Sequence, residues 1–369
     1  MRDPMGTKGG AGARRIFALA IGLAALACLH VGPAAGSDER KGTGGALELR
    51  LPVGPRGSAL GNTVVADVSG VEATFWNPAG LGVLSHTQAL FTHTNYIADM
   101  KLNYAAVGMH LGGFGSLGIH AKVLDLGDVI ETTEDAPDGT GVIFSPTYTT
   151  LGVSWGRQFT DRVLFGATVN YVNETILHTS ARGIAADLGV QYLTGWRGLR
   201  FGVVMKNFGP SMHFDGEDLD ANFRPPDSDP TARTRVFRTV SSDFELPSYF
   251  SLGAAYDLWS QPESKLQLMG AFQNNNFTGD SFNGGLEWSY KDVLSVRGSY
   301  FGSLESNVDF TTGVSTSRLH GGDDLYNGLA LGAGLKVPFG GSKLGIDAAW
   351  RSVRNFFDDT VEVGARFEF

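Results

Sequence analysis

The sequence predicts an all-β fold: a 14-stranded antiparallel transmembrane β-barrel with an N-terminal hatch (plug) inside the lumen. Three observations lead there. Apolar residues alternate with small or polar ones at period two, the pattern recurs fourteen times, and the long connections fall on one side.

The last strand shows the alternation best. Val361, Val363, Ala365, Phe367 and Phe369 alternate with Glu362, Gly364, Arg366 and Glu368. Successive side chains of a strand point to opposite faces, so one face is apolar and the other mostly charged. In a transmembrane barrel the apolar face meets lipid and the polar face lines the lumen. A strand closing on Phe367 and Phe369 also resembles the signal read by the outer-membrane barrel assembly machinery. A soluble sandwich would show the same alternation, but it gives no reason for that aromatic ending.

Upstream, Val163, Phe165, Ala167, Val169 and Tyr171 alternate with Leu164, Gly166, Thr168, Asn170 and Val172. Ala186, Leu188, Val190 and Tyr192 face away from Asp187, Gly189 and Gln191, and Phe201, Val203 and Met205 away from Arg200, Gly202 and Lys206. The second face is repeatedly glycine or a small polar residue, which suits a crowded lumen. Arg157 falls on the outward face, near a turn where a long side chain snorkels to headgroups.

Strands are expected near 87–97, 100–111, 114–125, 146–158, 162–176, 181–194, 199–208, 247–258, 264–275, 281–290, 293–302, 326–337, 344–353 and 360–369. Their even number is what a single-chain bacterial barrel requires. The three longest gaps, 126–145, 209–246 and 303–325, all follow odd strands, whereas gaps such as Gly112-Gly113 and Lys291-Asp292 follow even ones. A sandwich does not sort its loops this way.

Residues 1–36 read as a cleaved signal peptide: Arg14 and Arg15, an apolar stretch from Ile16 to Val31, then Ala34-Ala35-Gly36. The stretch is shorter than the roughly 20 apolar residues a spanning helix needs. Ala25-Leu26-Ala27-Cys28 offers a lipoprotein alternative, with a poor match at Ala25. Cys28 is the single cysteine, so the exported chain is expected to carry no disulfide. The net charge of −9 argues against a nucleic-acid partner, which wants a basic face. These features place the protein in the bacterial outer membrane after Sec-type export, with outer-membrane lipid and the assembly machinery as partners.

Residues 37–86 are not barrel-like and form the expected hatch, with the barrel over 87–369. The stretch holds Gly57-Ser58-Ala59-Leu60-Gly61, Val65-Ala66-Asp67 and Phe75-Trp76-Asn77-Pro78-Ala79-Gly80-Leu81. Its apolar content weakens the alternative of a disordered tail. With Thr132 to Gly141, Thr160-Asp161-Arg162 and Asn207-Phe208-Gly209-Pro210, these motifs resemble the PorV/PorQ family, a branch of the FadL-like outer-membrane proteins. The resemblance implies a fourteen-stranded barrel, with Trp76, Asn77, Pro78, Ala79 and Gly80 belonging to the hatch.

It also implies one of two functions, because a shared fold does not choose between them. The first is passive transport of small hydrophobic molecules across the outer membrane, with Asn170, Glu174, Asp187, Arg200 and Lys206 as lumen-lining candidates. The second is a PorV-type accessory of type IX secretion, whose long loop with Arg224-Pro225-Pro226-Asp227 would meet cargo proteins.

Enzymatic readings find little support. Gly113-Phe114-Gly115-Ser116-Leu117-Gly118 spells a dinucleotide fingerprint, but strand-patterned residues flank it on both sides where a helix must follow. No nucleophile elbow is present. The histidines lack metal spacing, and no cofactor or metal is expected. The acidic loops (Glu131, Glu134, Asp135, Asp138; Asp215, Glu217, Asp218, Asp220) read as solvated faces before calcium sites.

Overall fold

The computed structural model describes residues 44–223, 235–308, 315–321, 325–354 and 357–369. The leader expected over 1–36, positions 37–43 of the expected hatch, and Arg224 to Asp227 lie outside the described residues.

Fourteen strands form the wall: β1 (Gln88–Asn95), β2 (Lys101–His110), β3 (Ser116–Asp125), β4 (Thr147–Thr160), β5 (Val163–Ile176), β6 (Thr179–Leu193) and β7 (Arg200–Phe208) lead. They continue as β8 (Tyr249–Gln261), β9 (Ser264–Asn275), β10 (Asp280–Tyr290), β11 (Leu294–Val308), β12 (Tyr326–Phe339), β13 (Ser342–Val353) and β14 (Thr360–Glu368). Each pairs antiparallel with the next. β1 pairs with β14 from Gln88↔Glu368 to Asn95↔Val361, so the ring closes. The open sandwich edge is thereby excluded.

Connections sort as the sequence suggested. Those after β3, β7 and β11 are the long ones and share one end with the other odd-strand connections. The opposite end carries short turns such as Lys291-Asp292, whose φ values of 53° and 54° match a tight hairpin turn.

All fourteen strands expose a large apolar side chain outward, among them Phe91, Ile119, Val153, Val169, Ile184, Leu252, Leu331 and Val363. An apolar wall running round the whole ring far exceeds what a soluble monomer exposes. Aromatic clusters rim the short-turn end. Trp155 lies near Phe114, Phe159 and Phe165, Trp288 stacks on Tyr290, and Phe367 stacks on Phe369. Arg157 is exposed as expected, its guanidinium 5.7 Å from the Phe159 ring centre.

The inner face meets the chain's own N-terminal segment. Residues 45–84 form short helical turns, including Pro55–Ala59, Thr63–Ala66, Ala73–Trp76 and Pro78–Val83. Pro78–Val83 packs on β4 and β5, Thr63–Ala66 on β7 and β8, and Pro55–Ala59 on β12 and β13. One short segment thus touches widely separated arcs of the ring. Leu60, Val64, Val71, Trp76 and Leu81 are its buried apolar residues, packed with Leu90, Leu102 and Tyr104 of the wall. Close approach depends on inward glycines. A Cβ at Gly166 would collide with the Pro78 carbonyl, and one at Gly189 with the Asn77 carboxamide.

Overpacking of this kind typically costs about 1–3 kcal/mol. Gly189→Leu should therefore loosen the segment while the ring stays closed. Trypsin cleavage at Arg50 or Arg56 should become faster in the variant, with unchanged resistance of the folded barrel to unfolding in detergent. Unchanged protection of both arginines would contradict the packing described.

Candidate functional site

The interior is organised around a few polar side chains that meet the segment's backbone. Asn77 is fully buried. Its Nδ2 donates to the Val65 carbonyl at 2.8 Å and reaches the Val190 and Val203 carbonyls of β6 and β7 at 3.3 and 3.4 Å. Its Oδ1 accepts from the Ala79 N–H at 3.1 Å, so the same carboxamide caps the turn that Pro78 opens. Gln191 of β6 donates to Val65 and Val68 carbonyls at 3.1 and 3.0 Å. The Trp76 indole N–H donates to Val53 at 2.9 Å. On the far side, Glu362 of β14 accepts from the Gly54 N–H at 2.6 Å and the Ser58 hydroxyl at 2.5 Å.

Two lysines flank one ring. Lys206 donates to the Phe75 carbonyl with its ammonium 3.8 Å from the Phe75 ring centre. Lys122 sits 4.8 Å from that ring and donates to the Leu51 carbonyl at 2.6 Å. Both cations therefore rest on main-chain oxygen and an aromatic face, which compensates part of their loss of water.

At the short-turn end, ion pairs join segment to wall. Arg56 bonds Asp67 at 2.5 Å and Glu287 of β10 at 2.9 Å. Arg200 of β7 pairs with Asp67 and, at 2.8 Å, with Asp257 of β8. Arg297 of β11 links Glu287 and Asp347, and Arg366 lies 3.5 Å from Glu72. These groups line a cavity of about 440 Å³. Toward the long loops lies a second cavity of about 460 Å³, with Trp76, Phe75, Tyr326 and Phe301 in its walls. The segment contributes to both, and so stands between them.

The five lumen candidates all point inward but do not form one site. Asn170 donates to Asp187 at 3.1 Å, and Asp187 accepts from the Asn207 N–H at 2.7 Å. Lys206 serves Phe75, whereas Arg200 belongs to the charged chamber at the short-turn end. Glu174 is buried beside Glu48 of the segment. The five expected hatch residues, Trp76, Asn77, Pro78, Ala79 and Gly80, are buried; Asn77, Pro78 and Ala79 meet β5 and β6 of the wall, whereas Trp76 and Gly80 pack within the segment against Gly57 and the Val68 carbonyl. Sequence reasoning missed Arg297, Glu287 and Asp347, whose partners lie 10 and 50 residues apart. Their inward position in alternating strands was the available signal. Among the described residues no cluster of metal-ligating side chains occurs.

Burial and the facing Glu174 carboxylate push Glu48 up to about 8. The folded state thus holds this proton more tightly than an unfolded chain does. The resulting stabilisation is complete below the ordinary carboxylate range and is lost as pH rises through about 8. Protease protection of the segment should accordingly fall as pH rises from the ordinary carboxylate range to about 8 and level off above it. Glu48→Gln should flatten the profile, and an equally steep profile in the variant would remove Glu48 from the explanation.

With this geometry in hand, the fold has solved counterparts. A TodX deletion mutant, described as a monoaromatic hydrocarbon channel, superposes with a TM-score of 0.50 at 13% identity, over 86% of this chain and 98% of that one. A Pseudomonas aeruginosa FadL homologue gives 0.49 at 10% identity, over 86% and 97%. The Pseudomonas putida toluene transporter TodX gives 0.49 at 12%, over 85% and 96%. No family model and no curated protein matches the chain. At 13% identity the likeness establishes a fold alone: a closed fourteen-stranded barrel like that of the TodX channel mutant.

Proposed function

We propose that this protein resides in the bacterial outer membrane and passes small hydrophobic molecules, with residues 37–86 acting as a hatch. The observation that carries the reading is the pair of cavities, about 460 and 440 Å³, on either side of a segment packed inside the ring. The apolar outer wall and aromatic rim support a lipid setting. The aromatic lining of the cavity on the long-loop side suits an apolar solute, which would leave water there before the segment shifts. The fold shared with a monoaromatic hydrocarbon channel is consistent with that cargo class. Assignment to the PorV/PorQ branch rests on the motifs of residues 57–81, and the residues of the expected hatch, Trp76 to Gly80, keep their role as part of this proposal.

In this reading, Asp67 is the hinge of the lock, since Arg56 and Arg200 both bind it. Purified protein should be placed in vesicles whose lipopolysaccharide leaflet slows unassisted entry. Uptake of a neutral aromatic probe should exceed that of protein-free vesicles by about tenfold, equivalent to about 1.4 kcal/mol of barrier. Asp67→Asn should raise the rate further. Uptake equal to that of empty vesicles would overturn the transport reading.

A further inference from the structure

The cavity on the long-loop side has more hydrogen-bonding capacity than a hydrocarbon can use. Beside its aromatic walls, two carboxamides of the barrel enter its lining, Gln273 of β9 and Asn283 of β10. Both are nine-tenths buried, at 9% and 8% exposure. Gln273 lies opposite Ser281 in the register of β9 and β10. Asn283 is therefore its diagonal neighbour on the inner face, about 7–8 Å away, within reach of side chains of this length. Asn283 is also paired directly with Phe301 of β11, whose ring centre lies 6.4 Å from that of Tyr326.

Each carboxamide leaves one end open. Gln273 spends its Nε2 on Asn275 Oδ1 at 2.7 Å, and its Oε1 has no partner among the described residues. Asn283 has no hydrogen-bond partner among them at all, and its Oδ1 is shut into the wall. Gln273 Oε1 and Asn283 Nδ2 are not enclosed in that way and keep surface open to the cavity. One acceptor and one donor thus stand open beside an aromatic pair. No charged group of the lining competes with them. Aspartate and glutamate are absent from it among the described residues, and Arg50 donates to Thr278 and Asn275 at 2.9 and 3.2 Å. Arg351 of β13 stacks 4.0 Å from the Tyr326 ring centre and 5.6 Å from that of Phe301, with its idle Nε and Nη1 closed off from solvent.

A hydrocarbon that fills this cavity strips both carboxamide ends of water and returns no hydrogen bond. A hydroxyl is donor and acceptor at once, so a single such group answers both ends. Buried polar groups placed for a hydroxyl discriminate against the analogue that lacks it, because they are then left unpaired.

We propose that this cavity selects neutral aromatic solutes that carry a hydroxyl, such as phenols, over plain hydrocarbons. Gln273 accepts the hydroxyl proton, Asn283 donates to the hydroxyl oxygen, and the rings of Phe301 and Tyr326 receive the arene. The proposal deepens the transport reading by naming a solute class, and it rests on that reading only for the cavity's role in passage.

Binding of 2-naphthol, 2-methoxynaphthalene and 2-methylnaphthalene should be measured at neutral pH by equilibrium dialysis against the full protein in detergent, with protein-free micelles as the blank. Wild type should bind the naphthol about tenfold more tightly than the methyl analogue, equivalent to about 1.4 kcal/mol. Gln273→Met, which keeps the bulk and loses the acceptor, should cut that preference to about twofold or less. The methoxy compound has no proton to give, so the same substitution should leave its affinity unchanged. Asn283→Leu should weaken the naphthol and the methoxy compound alike. Affinity for methylnaphthalene should stay within about threefold in both variants, and retained detergent-resistant mobility on gels reports that each is folded. Equal affinities for naphthol and methylnaphthalene in wild type, or a preference that survives both substitutions, would overturn the proposal. Vesicle uptake separates the two claims. Neutral-probe flux without a Gln273-dependent preference leaves transport standing and removes the hydroxyl site, whereas the preference without flux does the reverse.

Discussion

The structure depends on one constraint: a sheet whose outer face is apolar on every strand cannot leave backbone N–H and C=O groups unpaired. In a hydrocarbon setting each such group costs several kcal/mol, and no water is present to relieve it. Pairing of β1 with β14 removes the two edges that an open sheet would retain. Once the ring is closed, the period-two alternation decides the rest. Outward residues away from the rims meet an apolar medium, and inward polar residues must find partners in a confined interior.

The N-terminal segment supplies those partners. Its carbonyls at Val53, Val65, Val68 and Phe75 accept from Trp76, Asn77, Gln191 and Lys206, so polar groups of segment and wall satisfy one another. The ion pairs around Arg56, Arg200 and Arg297 are of a different kind. Buried pairs of this sort are often no more stabilising than apolar replacements, although losing one partner is expensive. Their contribution is therefore placement: they fix where the segment sits at the short-turn end. At the other end the apolar contacts of Phe75 and Trp76 do the holding, and the cavity there is correspondingly aromatic. The asymmetry gives the interior a charged chamber and an aromatic one.

Much of this was legible in the residues. The alternation from Val163 to Val172 assigned inward and outward faces that burial bears out, and loop lengths assigned the two ends. Arg157 was correctly left on the outer face beside a turn. The dinucleotide-like glycine run proved to span the Gly112–Phe114 turn and the start of β3, with no helix to receive a phosphate. What the residues could not show was which inward groups meet. Arg200 and Lys206 share a face of β7 but lie about 20 Å apart along it, at 3.3 Å per residue. They consequently serve opposite levels of the interior. Glu287, Arg297 and Asp347 come together only through the register of β10, β11, β12 and β13, which no local pattern reveals. Arg351 was equally inconspicuous, one inward residue between Ala349 and Val353, until the rings of Tyr326 and Phe301 were placed around it.

Closure between the first and last strands carries the whole account, and it is open to direct test in the native membrane. Phe91 and Ala365 are paired across that seam, and paired strand residues lie within the Cα separation a disulfide accepts. Oxidation of a Phe91→Cys, Ala365→Cys variant should join the two strands efficiently, whereas Phe91→Cys with Gly364→Cys, one residue out of register and on the opposite face, should not crosslink. Absence of the bond in the first variant, or equal yields in both, would mean that the ring is not closed as described.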